Sequence, residues 1–139
     1  MAAASGGETQ FSATQMVKIL GAVYQDSRIA PDYLSSLAVA SSDGTLRYRM
    51  KGSAAAKAFR GKTGTLDGVI CLSGYLRLNN QDTIAVSFLF NEVSNSKAAK
   101  DAQSKVGAAL AEYLIALDPK AAFPNSKNST DASGDGDEE

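Results

Sequence analysis

The sequence contains no histidine, which removes any Ser-His-Asp or Cys-His nucleophile pair within the chain and any histidine-ligated metal. Its single cysteine, Cys71, excludes an intramolecular disulfide and a cysteine-cluster zinc site. No run approaches the ~18 consecutive apolar residues of a membrane span. The opening Met1-Ala-Ala-Ala-Ser-Gly-Gly7 has neither the basic stretch nor the apolar stretch of a secretory signal. As written, the chain is expected to stay in the cytoplasm where it is made. Lys, Ser, Thr, Asp, Glu and the backbone remain as carriers of chemistry, and no metal or cofactor is expected.

What is present describes one ordinary globular domain. The 139 residues include 14 Lys+Arg against 15 Asp+Glu, with 44% hydrophobic and 7% aromatic residues. The near-neutral balance hides an asymmetry. Five acids (Asp131, Asp135, Asp137, Glu138 and Glu139) lie after residue 127, leaving ten acids against 14 bases, a net of +4, in residues 1–127.

Periodicity sets out the elements. Residues 1–11 are small and polar, and read as a flexible N-terminus. Met16, Ile19, Leu20, Val23 and Tyr24 mark one face of a helix over 13–26, with Ser12 or Thr14 as N-cap. Pro31 opens a short segment through Leu37, and Ser41-Ser-Asp-Gly44 is turn chemistry. Residues 45–57 read as a short helix followed by a loop. Residues 59–66, 69–78 and 83–90 read as three antiparallel strands; in the last, Ile84, Val86, Phe88 and Phe90 share one side. A helix over 98–117 follows, with Ala102, Val106, Ala109, Leu110, Tyr113, Leu114 and Leu117 as its buried stripe and Ser94 or Ser96 as its N-cap. Pro119 stops it, and residues 119–139 read as a disordered acidic tail. The class is α+β.

Gly61-Lys62-Thr63-Gly64-Thr65 is the most informative string. A phosphate loop needs a glycine five residues before Gly61, where the sequence has Ala56, and a buried strand ahead of it, where the sequence is alanine-rich. The alternative is the K-T-G element of penicillin-recognising serine enzymes, whose physics suits a strand edge. The Lys62 ammonium and Thr63 hydroxyl would converge on a substrate carboxylate. Gly64, without a side chain, lets another group approach the backbone, and the Thr65 N–H could donate to an oxyanion.

The surrounding residues extend this reading. Asp43-Gly-Thr-Leu-Arg-Tyr-Arg49, Gly61-Lys-Thr-Gly-Thr-Leu66, Gly68-Val69, Leu72-Ser-Gly-Tyr75 and the strand ending in Asn91 together resemble the low-molecular-weight class C penicillin-binding proteins. These are serine-type D-alanyl-D-alanine carboxypeptidases and endopeptidases of the cell wall. The resemblance runs from about Phe11 to Leu117. It implies a fragment of the β-lactamase/transpeptidase-like fold over 12–118, an antiparallel sheet with an N-terminal and a C-terminal helix packed on it. It implies a D-Ala-D-Ala peptide or a β-lactam as ligand of Lys62, Thr63, Gly64 and Thr65, and a periplasmic or envelope location for the family.

The sequence departs from that pattern in one respect that bears on activity. The family's nucleophile is the serine of S-x-x-K, followed by S-x-N, both ahead of K-T-G, and neither occurs before Lys62. Ser94-Asn-Ser-Lys97 and Ser126-Lys-Asn128 match the patterns in the wrong places, as chance matches do. The chain alone is therefore expected to be inactive, with no catalytic side chain of its own. A non-catalytic module that pairs with a complementary N-terminal half, or with itself, is the alternative. A more distant one is a polyanion-binding domain using Arg47, Arg49, Lys51, Lys57, Arg60 and Lys62, a stretch with no acid. Its ordinary counterpart is a solvated loop beside an anion-binding strand. Cys71, inside an apolar strand, reads as a buried small hydrophobe.

Overall fold

Ser12 and Gln15 decide where the first helix begins. Ser12 Oγ accepts from the Gln15 backbone N–H at 3.1 Å, and the Gln15 side chain accepts from the Ser12 N–H at 2.8 Å. This reciprocal box satisfies two donors that a bare helix start would leave orphaned. In a computed structural model, which describes residues 3–6, 9–79 and 81–122, the order is β1 (Ala3–Gly6), β2 (Thr9–Ser12), α1 (Ala13–Gln25), α2 (Ala30–Ser36), β3 (Ala38–Val39), β4 (Phe59–Leu66), β5 (Val69–Leu76), β6 (Ile84–Phe90) and α3 (Ser96–Leu117). Single turns of 3-10 helix stand at Gly44–Leu46 and Pro119–Ala121. Pro31 sits in the first turn of α2, where its missing N–H costs nothing.

Two expectations change at once. Residues 3–6 and 9–12, read as lacking regular structure, pair as an antiparallel hairpin, because four-residue strands are too short to show periodicity. Residues 45–57 form turns rather than a short helix beyond the 3-10 turn at Gly44–Leu46. The tail read over 119–139 is ordered at its start, where Pro119–Ala121 form a 3-10 turn with Ala121 fully buried and accepting from Asn79 N at 2.9 Å; residues 123–139 lie outside the described residues.

The main sheet is antiparallel, in the order β3-β4-β5-β6. Four strands stand where three were expected, because Ala38 and Val39 add a two-residue strand against Gly61 and Arg60. Strand alternation then divides the side chains between two faces. Phe59, Leu72, Leu76, Val86 and Phe88 pack with Leu46, Met50 and Ala111 in the larger core, which α3 covers. Tyr75 and Ala85, on the opposite face, pack with Leu20 of α1, Leu37, and Tyr33 and Leu34 of α2. The α+β class holds, with helices on both faces.

Helix α3 buries a different stripe from the expected one. Gln103, Gly107 and Ala111 are buried and Leu110 and Leu114 half-buried, while Val106, Tyr113 and Leu117 are 54%, 60% and 65% exposed. Arg49 and Met50 explain the rotation. Arg49 donates to Ser104 Oγ at 2.6 Å, Lys100 O at 2.7 Å and Gln103 Oε1 at 3.0 Å. Gln103 in turn donates to Ile70 O at 3.4 Å, so a fully buried amide is satisfied on both sides. Met50 lies against Gly107, where an added Cβ would stand 2.7 Å from its Cε. A polar clamp and a small residue, both invisible to a hydrophobic count, set the helix orientation. The N-cap is Asn95, whose side chain accepts from Ala98 N at 3.0 Å, rather than Ser94 or Ser96.

The outer edge of β6 carries no paired strand among the described residues, and β1 approaches β6 and β5 from the separate hairpin.

Candidate functional site

The hairpin turn at Asp67-Gly68 fixes which way every backbone group of β4 points. Leu66 faces Val69, Lys62 faces Ser73 and Arg60 faces Tyr75 across the ladder. Ala40 N donates to Phe59 O at 2.9 Å on the opposite side, so the amide groups of Phe59, Gly61, Thr63 and Thr65 point away from β5. Strand β3 covers this edge only at Arg60 and Gly61. From Lys62 to Leu66, no strand of the described residues pairs with it.

Side chains gather at that uncovered stretch from both faces. Lys62 is exposed and turns its Nζ onto Thr63 O at 2.7 Å. The Thr63 hydroxyl, on the other face, donates to Thr45 Oγ1 at 3.0 Å. An ammonium carries three donors, so two on Lys62 remain after the bond to Thr63 O. The Thr65 amide N–H points outward on the same edge. Lys62, Thr63 and Thr65 thus stand along one open edge, Lys62 and the Thr63 hydroxyl on opposite faces. At Gly64 a side chain would meet only the Cys71 Cβ, at 3.5 Å, an ordinary contact. The fold itself does not require glycine there.

Two groups of residues were missed by reading the sequence. Thr45 orients Thr63, although Asp43-Gly-Thr-Leu46 was legible only as a family signature and a turn. Asp43 holds that turn by accepting from Val39 N at 2.6 Å. Ser73 and Ser87, whose hydroxyls lie 2.9 Å apart, continue the Lys62 face across β5 and β6. Only the register reveals that row. Beside Lys62 that row is polar.

The other candidates separate in space. Lys97 does not reach toward Ser94 but binds Asp101 at 3.0 Å, and this contact holds the Asp101 carboxyl below its usual pKa. Ser94 therefore lacks the lysine that its sequence pattern suggests. Ser126 and Asn128 lie outside the described residues. The basic stretch from Arg47 to Lys62 does not act as one surface. Arg49 is clamped to α3, and burial lowers its pKa against the opposing pull of Asp101. Lys51 lies 4.6 Å over the Tyr48 ring. Cys71 is half-buried rather than fully buried, and desolvation raises its thiol pKa, the signature of an unreactive thiol.

Comparison with protein families gives a match to the D-Ala-D-Ala carboxypeptidase 3 (S13) family over residues 7–113. The chain belongs to that family. The matched span contains the whole four-stranded sheet and most of α3. The fold is similar to penicillin-binding protein 4 of Haemophilus influenzae in complex with a β-lactam, with a TM-score of 0.61 and 18% identity over 78% of this chain. A second structure of that protein gives a TM-score of 0.54 at 18% identity, also over 78% of this chain. The chain spans 26% and 24% of the length of those two proteins, about a quarter. At this identity the likeness shows the fold. Comparison with curated proteins gives no match. No helix of the described residues is long and apolar enough to cross a membrane, and those residues contain no cluster of metal-ligating side chains.

Proposed function

We propose that this chain supplies the K-T-G strand of a serine-type D-Ala-D-Ala carboxypeptidase, with residues 12–118 as the C-terminal part of the catalytic domain. The observation that supports the reading is the open edge of β4, which carries the exposed Lys62 on one face, the Thr63 hydroxyl on the other and the outward Thr65 N–H between them. A peptide lying along that edge would place its terminal carboxylate by Lys62 and Thr63. Its scissile carbonyl oxygen would meet the Thr65 N–H as negative charge develops on it. Gly64 leaves the backbone open to the ligand. Acylation needs a nucleophile and a base beside it, and neither lies ahead of Lys62. The envelope is the matching location for such an activity.

Titration with acetyl-D-Ala-D-Ala tests the binding half of this reading. The amides of Lys62–Thr65 are expected to shift and saturate at millimolar ligand, since a charge-assisted site with half its pocket binds weakly. Lys62→Ala should abolish the shifts. Thr45→Val removes the acceptor that takes the Thr63 proton, so the hydroxyl is free to donate to the carboxylate and binding should tighten about two- to tenfold, the worth of one neutral hydrogen bond. Equal shifts at Arg47, Lys51 and Lys62 would instead mean non-specific anion binding. A steep salt dependence with DNA would favour the polyanion reading.

The second reading, a non-catalytic complementing module, draws on the β6 edge. Residues 84–90 contain no Lys, Pro or Gly to protect an unpaired strand, and Val17 and Ile19 of α1, the helix that packs on β6, stand 36% and 44% exposed. Sedimentation at micromolar concentration should show a dimer or larger species that a complementary N-terminal fragment dissociates. A cooperatively unfolding monomer indifferent to that fragment would remove this reading and leave the ligand site untouched.

A further inference from the structure

At the opposite end of β4 from the unpaired stretch, a cleft of about 460 Å³ opens between α2 and the sheet. Pro31, Leu34 and Ser35 form one wall. Tyr75 and Ala58 line the cleft from the sheet side, and Tyr24 and Thr83 close one end with their hydroxyls 2.8 Å apart. Tyr75 offers its ring, because its hydroxyl is spent on Leu20 O at 2.8 Å. Burial beside two other tyrosines pushes its pKa up to about 12, so the ring stays neutral. The remaining lining side chains are Lys57, Arg60 and Arg77, with no carboxylate among them.

Three cations in one cleft repel one another, and none of the ion pairs among the described residues involves them. Backbone bonds bring them together. Arg77 N donates to Ala58 O at 3.0 Å, and Lys57 N donates to Ala40 O at 2.9 Å. Lys57 is held at φ 62°, a conformation that costs a non-glycine side chain energy. A cleft lined by one sign of charge and walled by apolar groups focuses potential on its ligand. Its volume lies in the range of small-molecule sites.

We propose that this cleft binds a small oxyanion of two or more charges on a compact body, either a phosphorylated or a polycarboxylated metabolite. Arg60 and Arg77 present planar guanidinium forks suited to paired oxygens. Lys57 adds a third positive charge, and Leu34, Pro31 and Tyr75 contact the ligand's body. The site shares no lining residue with Lys62–Thr65 and does not depend on the function proposed for that strand.

The test is an NMR titration of the full chain with pyrophosphate and, separately, citrate, at low salt and at physiological ionic strength. At least one should saturate, with the largest shifts at Lys57, Arg60, Arg77 and Tyr75; which one does identifies phosphoryl or carboxylate as the preferred group. The double variant Arg60→Gln, Arg77→Gln should weaken that binding at least tenfold, while Arg47→Gln with Lys51→Gln should leave it unchanged. All four side chains lie on the surface, so both variants are expected to fold, and far-UV circular dichroism checks this. The proposal is overturned if neither anion saturates, if acetate binds as well, or if the control variant loses as much affinity as the cleft variant.

Discussion

Incubated with a fluorescent penicillin and run on a denaturing gel, the chain alone is expected to show no labelled band. The chemistry leaves little room. A β-lactam is opened by a serine oxygen whose proton a neighbouring base removes, and the rate collapses by several powers of ten when nucleophile and base are removed. The sole S-x-x-K pattern among residues 1–122 is Ser94–Lys97, and there the lysine is held by Asp101 at 3.0 Å. A helix cap follows immediately at Asn95. Ser94→Ala should therefore change nothing. A band that disappears in that variant would make Ser94 a nucleophile and overturn the assignment. A band restored by mixing with an N-terminal fragment carrying S-x-x-K would support the division of labour proposed for the K-T-G strand.

Gly74→Ala is expected to be the most damaging single methyl group in the molecule. Gly74 faces Gly61 across the β4–β5 ladder. A Cβ on Gly74 would collide with the Arg60 carbonyl oxygen and stand 2.6 Å from the Gly61 Cα. Backbone in the middle of a sheet cannot step aside as a flexible side chain can. The variant should lose at least about 3 kcal/mol, the upper part of the overpacking range, which is a large share of a small domain's stability. Urea denaturation of the two proteins measures it directly, and a loss below about 1 kcal/mol would show that the strands can separate locally at low cost. Gly64→Ala provides the contrast. Its added methyl meets only the Cys71 Cβ, so stability should hold or rise by up to about 1 kcal/mol. Binding of acetyl-D-Ala-D-Ala should nevertheless fall, because the methyl occupies the face on which the ligand lies. A glycine kept for packing and a glycine kept for a ligand are thus separable in one experiment.

The helix start at Ser12, the three strands read at 59–66, 69–78 and 83–90, the last two one or two residues longer than the observed Val69–Leu76 and Ile84–Phe90, and the K-T-G string were all legible because each depends on residues close in sequence. Caps, periods of two or 3.6 and short motifs are local physics. The orientation of α3 was not legible. Its apolar count favoured Val106, Tyr113 and Leu117, yet Arg49, more than fifty residues upstream in sequence, reaches Lys100, Gln103 and Ser104 and turns another stripe inward. A buried glutamine that completes its hydrogen bonds through an arginine and a β5 carbonyl has no hydrophobic signature at all.

The sequence alone determined the α+β class, the family resemblance later matched over residues 7–113, and the position of Lys62 and Thr63 on a strand. It also determined that neither an S-x-x-K nor an S-x-N precedes Lys62. The tertiary structure decided which edge of that strand is open, that Thr45 orients the Thr63 hydroxyl, and that Lys57, Arg60 and Arg77 share a cleft instead of a continuous basic surface. The physical reason is the range of the interactions. Helix and strand signals are written in neighbouring residues, whereas an edge, a clamp and a cleft exist only once the register places distant residues side by side.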